Sequence, residues 1–97
     1  MPTFITLANF TDQGIRHDTE SPKRADAFKE SAKKAGANVK EIFWTLGSYD
    51  MVAIIEAPDA ETIAAIALSI GKLGNVRGQT LRAFNEAEMS AIIKKVV

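Results

Sequence analysis

The sequence predicts an α+β domain of the ferredoxin-like βαββαβ type: a four-stranded antiparallel sheet, two covering helices and a C-terminal helix. Three observations lead there. Short β-branched and aromatic runs alternate with longer segments of helical period, in the order strand, helix, strand, strand, helix, strand. Two of the connections are long enough to be right-handed helical crossovers, and the one short connection suits a hairpin. The chain has 97 residues, room for one core, so residues 1–97 read as a single domain.

The first strand spans Thr3–Phe10 around Phe4, Ile5, Thr6 and Leu7. Residues 11–20 are polar, include Gly14 and show no sustained period, so they read as an unusually long connection. Ser21-Pro22 then signals a helix start, with a hydroxyl able to cap and a proline whose missing N–H costs nothing there. The helix is expected over residues 22–35, with a narrow stripe of Ala25, Phe28, Ala32 and Ala35 and a glycine, Gly36, to end it.

Residues 39–46 form the second strand, with Ile42, Trp44 and Leu46 on one side and Val39, Glu41, Phe43 and Thr45 on the other. Turn residues Gly47, Ser48, Tyr49 and Asp50 lead into a third strand over 51–57, apolar on both parities and so expected at the centre of the sheet. Pro58-Asp59 breaks it and caps a second helix, whose stripe is Ile63, Ile66, Ala67, Ile70 and Leu73. The fourth strand, 76–84, is interrupted by Gly78; Asn85 with Glu88 three residues on resembles a capping box and opens the last helix.

Composition narrows the function classes. Twelve basic residues balance twelve acidic ones, so no net field draws the chain to nucleic acid or to a membrane surface, and neither is expected as a partner. Without cysteine there is no disulfide, thiol nucleophile or thiolate metal site, and one histidine cannot build an all-histidine cage. No cofactor motif is present and none is assigned. With no apolar run near the ~18 residues of a membrane span and no leader pattern, the expected location is cytoplasmic.

The first three strands carry apolar residues on both parities: Phe4 and Phe10 against Ile5 and Leu7, Trp44 against Phe43, Ile54 against Ile55. A sheet with one solvated face should alternate, so a second cover is expected, most simply another copy of the chain in a homodimer or larger homo-oligomer. The alternative is that the last helix folds back over this face with Met89, Ile92 and Ile93.

At several points the residues resemble the GYD-domain family: Thr11-Asp12-Gln13-Gly14-Ile15, Ser21-Pro22 with Arg24, Trp44-Thr45-Leu46-Gly47, Tyr49-Asp50, Glu56-Ala57-Pro58, Leu73-Gly74-Asn75-Val76 and Thr80-Leu81-Arg82-Ala83-Phe84. The namesake Gly-Tyr-Asp takes a Gly-x-Tyr-Asp form here, Ser48 lying between Gly47 and Tyr49. The resemblance implies a dimeric α+β barrel in which two sheets pack face to face. A looser similarity is to the ligand-sensing domain of Lrp/AsnC regulators, which has a like hairpin; it implies that Tyr49 and Asp50 line a small-molecule pocket between subunits.

The candidate site residues each have a structural reading beside the functional one. Tyr49 and Asp50 suit turn chemistry as well as a pocket. His17, between Arg16 and Asp18, has the pKa range of a general base, yet lies on a polar loop. Trp44, Phe4, Phe43 and Thr6 could wall an apolar cavity inside the two-sheet barrel, with Glu56 or Arg82 supplying its one charge, or simply pack the core. Asp12, Arg16 and Arg24 could hold an anion at the start of the first helix, or fix the loop by salt bridges. Ala64, Ala65 and Leu68, with the C-terminal stripe, could join dimers into a higher assembly.

Three functions remain open at this point. A small-molecule binding or sensing module needs a polar-lined cavity. A structural oligomer subunit needs that cavity filled by its own side chains. A cofactorless enzyme needs a buried acid or base facing it, for which Glu56, His17 and Asp50 are the candidates.

Overall fold

The computed structural model describes residues 1–97, the side chain of Asp18 excepted. In chain order the elements are β1 (Thr3–Phe10), α1 (Asp12–Arg16), a 3-10 turn (Asp18–Glu20), α2 (Ser21–Lys34), β2 (Asn38–Trp44), β3 (Met51–Glu56), α3 (Ala60–Gly71), β4 (Val76–Ala83) and α4 (Glu86–Ile93). The sheet order is β2-β3-β1-β4 with every neighbour antiparallel, the βαββαβ topology expected from the sequence.

Several caps lie where the sequence places them. Asp59 Oδ1 accepts from the Thr62 N–H at 2.8 Å, opening α3. Asn85 and Glu88 close a full capping box on α4, each side chain accepting from the other's backbone N–H. Ser21 does not cap α2: the N-cap is Glu20, without a side-chain bond, and Ser21 lies inside the first turn, buried.

Residues 11–20 also differ from the expected open loop. Thr11 caps a short helix by accepting the Gly14 N–H on Oγ1 at 3.1 Å. Five residues are too few to show a period, so only the Thr-x-x-Gly cap could have announced it.

Strand alternation assigns the faces. Phe4, Thr6, Ala8 and Phe10 of β1 share the helix side with Met51, Ala53 and Ile55 of β3 and with Gly78 and Thr80 of β4. Ile5, Leu7, Phe43, Val52, Ile54 and Leu81 make the other face. A register shift between Val39 and Glu41 turns Val39 to the core beside Ile42, opposite to strict alternation, with Lys40 as the extra residue.

Gly78 does not interrupt β4. It pairs with Ala8, and a Cβ there would lie 2.5 Å from the Leu7 carbonyl oxygen, so the strand needs a residue without one.

The core is rich in alanine. Ala8, Ala25, Ala32, Ala37, Ala53 and Ala57 are buried with Phe4, Ile55, Ile63 and Ile66, and Ile55 is the largest fully buried side chain. Small side chains cannot fill the ~10 Å between packed layers, and this is what opens space between helices and sheet. On the other face Phe43 and Leu81 are 50% and 43% exposed, so α4 does not fold back over it.

Candidate functional site

A cavity of about 660 Å³ lies between the sheet and α2 and α3. Its floor is Thr6, Ala8, Phe10, Ala53 and Ile55, and its roof includes Ala25, Phe28, Ile63, Ile66 and Ile70. This volume lies in the ~300–1,000 Å³ range of small-molecule sites, and the lining is mostly apolar with a few polar groups, as such sites require. On the floor Thr6 Oγ1 and Thr80 Oγ1 lie 3.0 Å apart, one donating to the other. At one end Arg24 of α2 donates to the carbonyls of His17 (2.9 Å) and Gly14 (3.2 Å).

Of the candidate site residues expected from the sequence, Thr6 and Arg24 line this cavity, and Arg16, His17, Trp44, Tyr49, Asp50, Glu56 and Arg82 do not. The cavity is on the helix side of the sheet, not inside a two-sheet barrel, because the small residues that open it all point to the helices. Trp44 lies beyond its edge, donating from Nε1 to Ser21 Oγ at 2.8 Å and walling a shallow groove with Phe10, Ile15, Ser21 and Pro22. That bond explains the burial of Ser21. Phe43 is on the opposite face.

Asp50 and Tyr49 take up structural contacts. Asp50 Oδ2 accepts from the Phe10 N–H at 2.9 Å, while its own N–H donates to Ala8 O at 2.9 Å, extending the β1–β3 pairing past Met51. Thr45 closes the hairpin by donating from Oγ1 to Tyr49 O and from its N–H to Asp50 O. Gly47, at φ +107°, occupies the left-handed region that the turn requires. Tyr49 reaches the other way: its hydroxyl accepts from Gln79 Nε2 at 2.8 Å, and Gln79 pairs with Leu7 on the open face.

The remaining candidates are scattered. Arg16 and His17 are exposed at the end of α1. Glu56 is at the far end of the sheet, opposite Thr3, with Lys40 Nζ 3.9 Å away. Arg82 is at that end too, over the Phe84 ring at 4.5 Å and the Phe4 ring at 5.7 Å, with Glu88 at 3.4 Å and bonds to the Thr3 and Ala83 carbonyls. The structure therefore does not bring Glu56, His17 and Asp50 together, and none of them lines the cavity. Among the described residues no cluster of three or more His, Cys, Asp or Glu could hold a metal ion.

Sequence reasoning placed Arg24 near an anion site but missed the cavity it borders. The signal was in the small residues: Ala25 and Ala27 of α2 and Ala67 of α3 line the cavity together with Ala8 and Ala53 of the sheet.

Other proteins share this architecture. The crystal structure of TTHA0845 from Thermus thermophilus superposes with a TM-score of 0.55 at 24% identity, covering 88% of this chain and 95% of that one. MtbAldR (Rv2779c) superposes at 0.61 and 13% identity over 88% of this chain and 52% of its own, a likeness of fold. In sequence, the glutamine synthetase and cystathionine beta-lyase binding protein of Thermus thermophilus is 36% identical over 95 residues, 97% of this chain and all of that protein. Among the described residues no helix is long and apolar enough to cross a membrane. The GYD domain matches residues 4–93, from the first core residue of β1 to the last of α4, and the chain belongs to the GYD domain family.

Proposed function

We propose that this protein is a small-molecule binding module that acts as a homo-oligomer, with the helix-side cavity as its binding site. The cavity carries this reading: about 660 Å³ of mainly apolar space, with the Thr6–Thr80 hydroxyls as a polar spot on its floor. Among the described residues its wall has no Asp, Glu, His, Lys, Tyr or Cys to carry a proton, which favours binding over catalysis. The half-exposed Phe43 and Leu81 on the other face favour pairing of two sheets.

Ligand-dependent melting tests the proposal. A ligand at 100 times its Kd adds about 2.7 kcal/mol, which raises the midpoint of a chain this size by about 10 °C or more. Screening apolar small molecules is expected to give such a shift in the wild type and none in Ala53→Phe, whose ring occupies the cavity. An equal shift in the variant places binding elsewhere and overturns the reading.

A second reading, a protein-binding role, is favoured by the relative's name: that protein binds glutamine synthetase and cystathionine beta-lyase. Exposed Leu46, Leu68 and Leu73 give this chain apolar surface outside the sheet face. Mixed with the glutamine synthetase or cystathionine beta-lyase of its own source, the protein is expected to co-elute in size-exclusion chromatography; separate elution from both overturns this reading.

A further inference from the structure

Among the described residues, the charged ones in the cavity wall are Arg24 and Arg77, with no carboxylate. Arg77 pairs with Asn9, a position whose side chain alternates to the open face, so Arg24 is the cation on the cavity side.

Arg24 follows Lys23 in the first turn of α2, a turn with no acidic residue, on a helix with no side-chain cap. The dipole there is positive, so the position favours an anion and costs a cation energy. The Arg24 side chain is 23% exposed, and its guanidinium is held by His17 O and Gly14 O, uncharged acceptors at the C-terminal end of α1, where the short helix's carbonyls favour a cation. The Glu20 carboxylate, 3.9 Å away and 63% exposed, is screened by water. A guanidinium has five N–H donors, and two serve these carbonyls. On the floor, the Thr6–Thr80 pair needs one hydroxyl proton for its mutual bond, which leaves the second able to donate to an oxygen on a bound molecule.

We infer that the cavity takes an amphipathic carboxylate, its head on Arg24 and its apolar body over Ala8, Ala53, Phe28 and Ile66. The inference rests on the small-molecule reading of the cavity and adds the charge of the ligand. A carboxylate can accept charge-assisted bonds from the guanidinium N–H groups that the two carbonyls leave over and meets the α2 dipole with the right sign. An amine would meet like charge, and an uncharged hydrocarbon would cover Arg24 without pairing it.

Calorimetric titration with decanoate and with 1-decanol, below their aggregation concentrations, separates the inference from the reading beneath it. Decanoate is expected to bind the wild type at least tenfold more tightly than decanol. In Arg24→Met the preference should fall within threefold, and in Arg24→Lys it should be intermediate, since the charge stays and the fork is lost. Ala53→Phe should abolish both. Equal affinities in the wild type overturn the carboxylate and leave the cavity reading intact. Binding of neither probe overturns both. Wild-type binding needs no variant to fold, and an undiminished preference in folded Arg24→Met moves the head group away from Arg24 and overturns the inference.

Discussion

Gly14 is seated directly on the backbone of Asn75: a Cβ built on Gly14 would lie 1.9 Å from the Asn75 carbonyl oxygen and 2.8 Å from the carbonyl carbon. The same oxygen accepts the Thr11 N–H at 3.1 Å, Thr11 Oγ1 donates to Gly74 O, and Gln13 Nε2 donates to Leu73 O and Asn75 Oδ1. Two segments far apart in sequence are thus one joint, which fixes α1 over the α3–β4 turn. Gly14→Ala must push backbone against backbone, so it is expected to lower stability by about 1–3 kcal/mol, read as a lower urea midpoint. An unchanged midpoint would mean that the joint opens freely.

Asp50 holds the hairpin to the end of β1. Asp50→Ala leaves the Phe10 N–H without its charged acceptor and should cost about 1.5–3 kcal/mol. Asp50→Asn keeps an oxygen in place and should lose less. Equal losses in chemical denaturation would show that the carboxylate contributes no more than its shape.

Phe43 faces away from the helices on a strand whose neighbours there include Val52 and, beyond it, Leu7. Phe43→Glu would put a charge into a sheet-to-sheet contact while leaving the core untouched. Native mass spectrometry is expected to show an oligomer for the wild type and a monomer for the variant, with the same circular dichroism spectrum. A wild-type monomer would remove the oligomer from the proposed function.

Glu88 links pH to α4. The Asn85 backbone N–H, first, and then Arg82 hold its carboxyl below the ordinary value of 4.5. A carboxyl depressed in the folded state contributes stability that is full above the unfolded pKa and lost as pH falls through the folded one. The helical Cα shifts of Met89 and Ile92 in NMR are therefore expected to decay as pH drops below about 4.5. Glu88→Gln should flatten this dependence; parallel titrations in the two proteins would assign the acid sensitivity elsewhere. The Asp59 carboxyl, lowered by its bonds from the Thr62 side chain and backbone, gives α3 the same sign of dependence.

The element order was legible in the sequence because each signal is local. A strand shows its period within a few residues, Asp59 and Asn85 cap helices three residues away, and the run from Met51 to Ile55 needs cover on both sides wherever it lies. The site was less legible. Thr6 is read from the sequence only as one wall, with Trp44, Phe4 and Phe43, of a cavity inside a two-sheet barrel, whereas it lines the helix-side cavity; Trp44, Tyr49 and Asp50 are chemically capable, and the structure spends Asp50 on β1, Tyr49 on Gln79 and Trp44 on Ser21.

By itself, then, the sequence determined the strands, the crossover helices, the caps of α3 and α4 and the apolar character of both sheet faces, all set by contacts within a few residues. Tertiary structure decided what depends on distant partners. The bulge at Lys40 turned Val39 inward, because register is fixed by pairing with β3 and not by alternation alone. Ser21 became the acceptor for Trp44 instead of a cap, and Thr11–Gly14 became a helix docked on Asn75. The cavity arose where alanines of two layers meet across a gap whose width is set by the larger side chains around it.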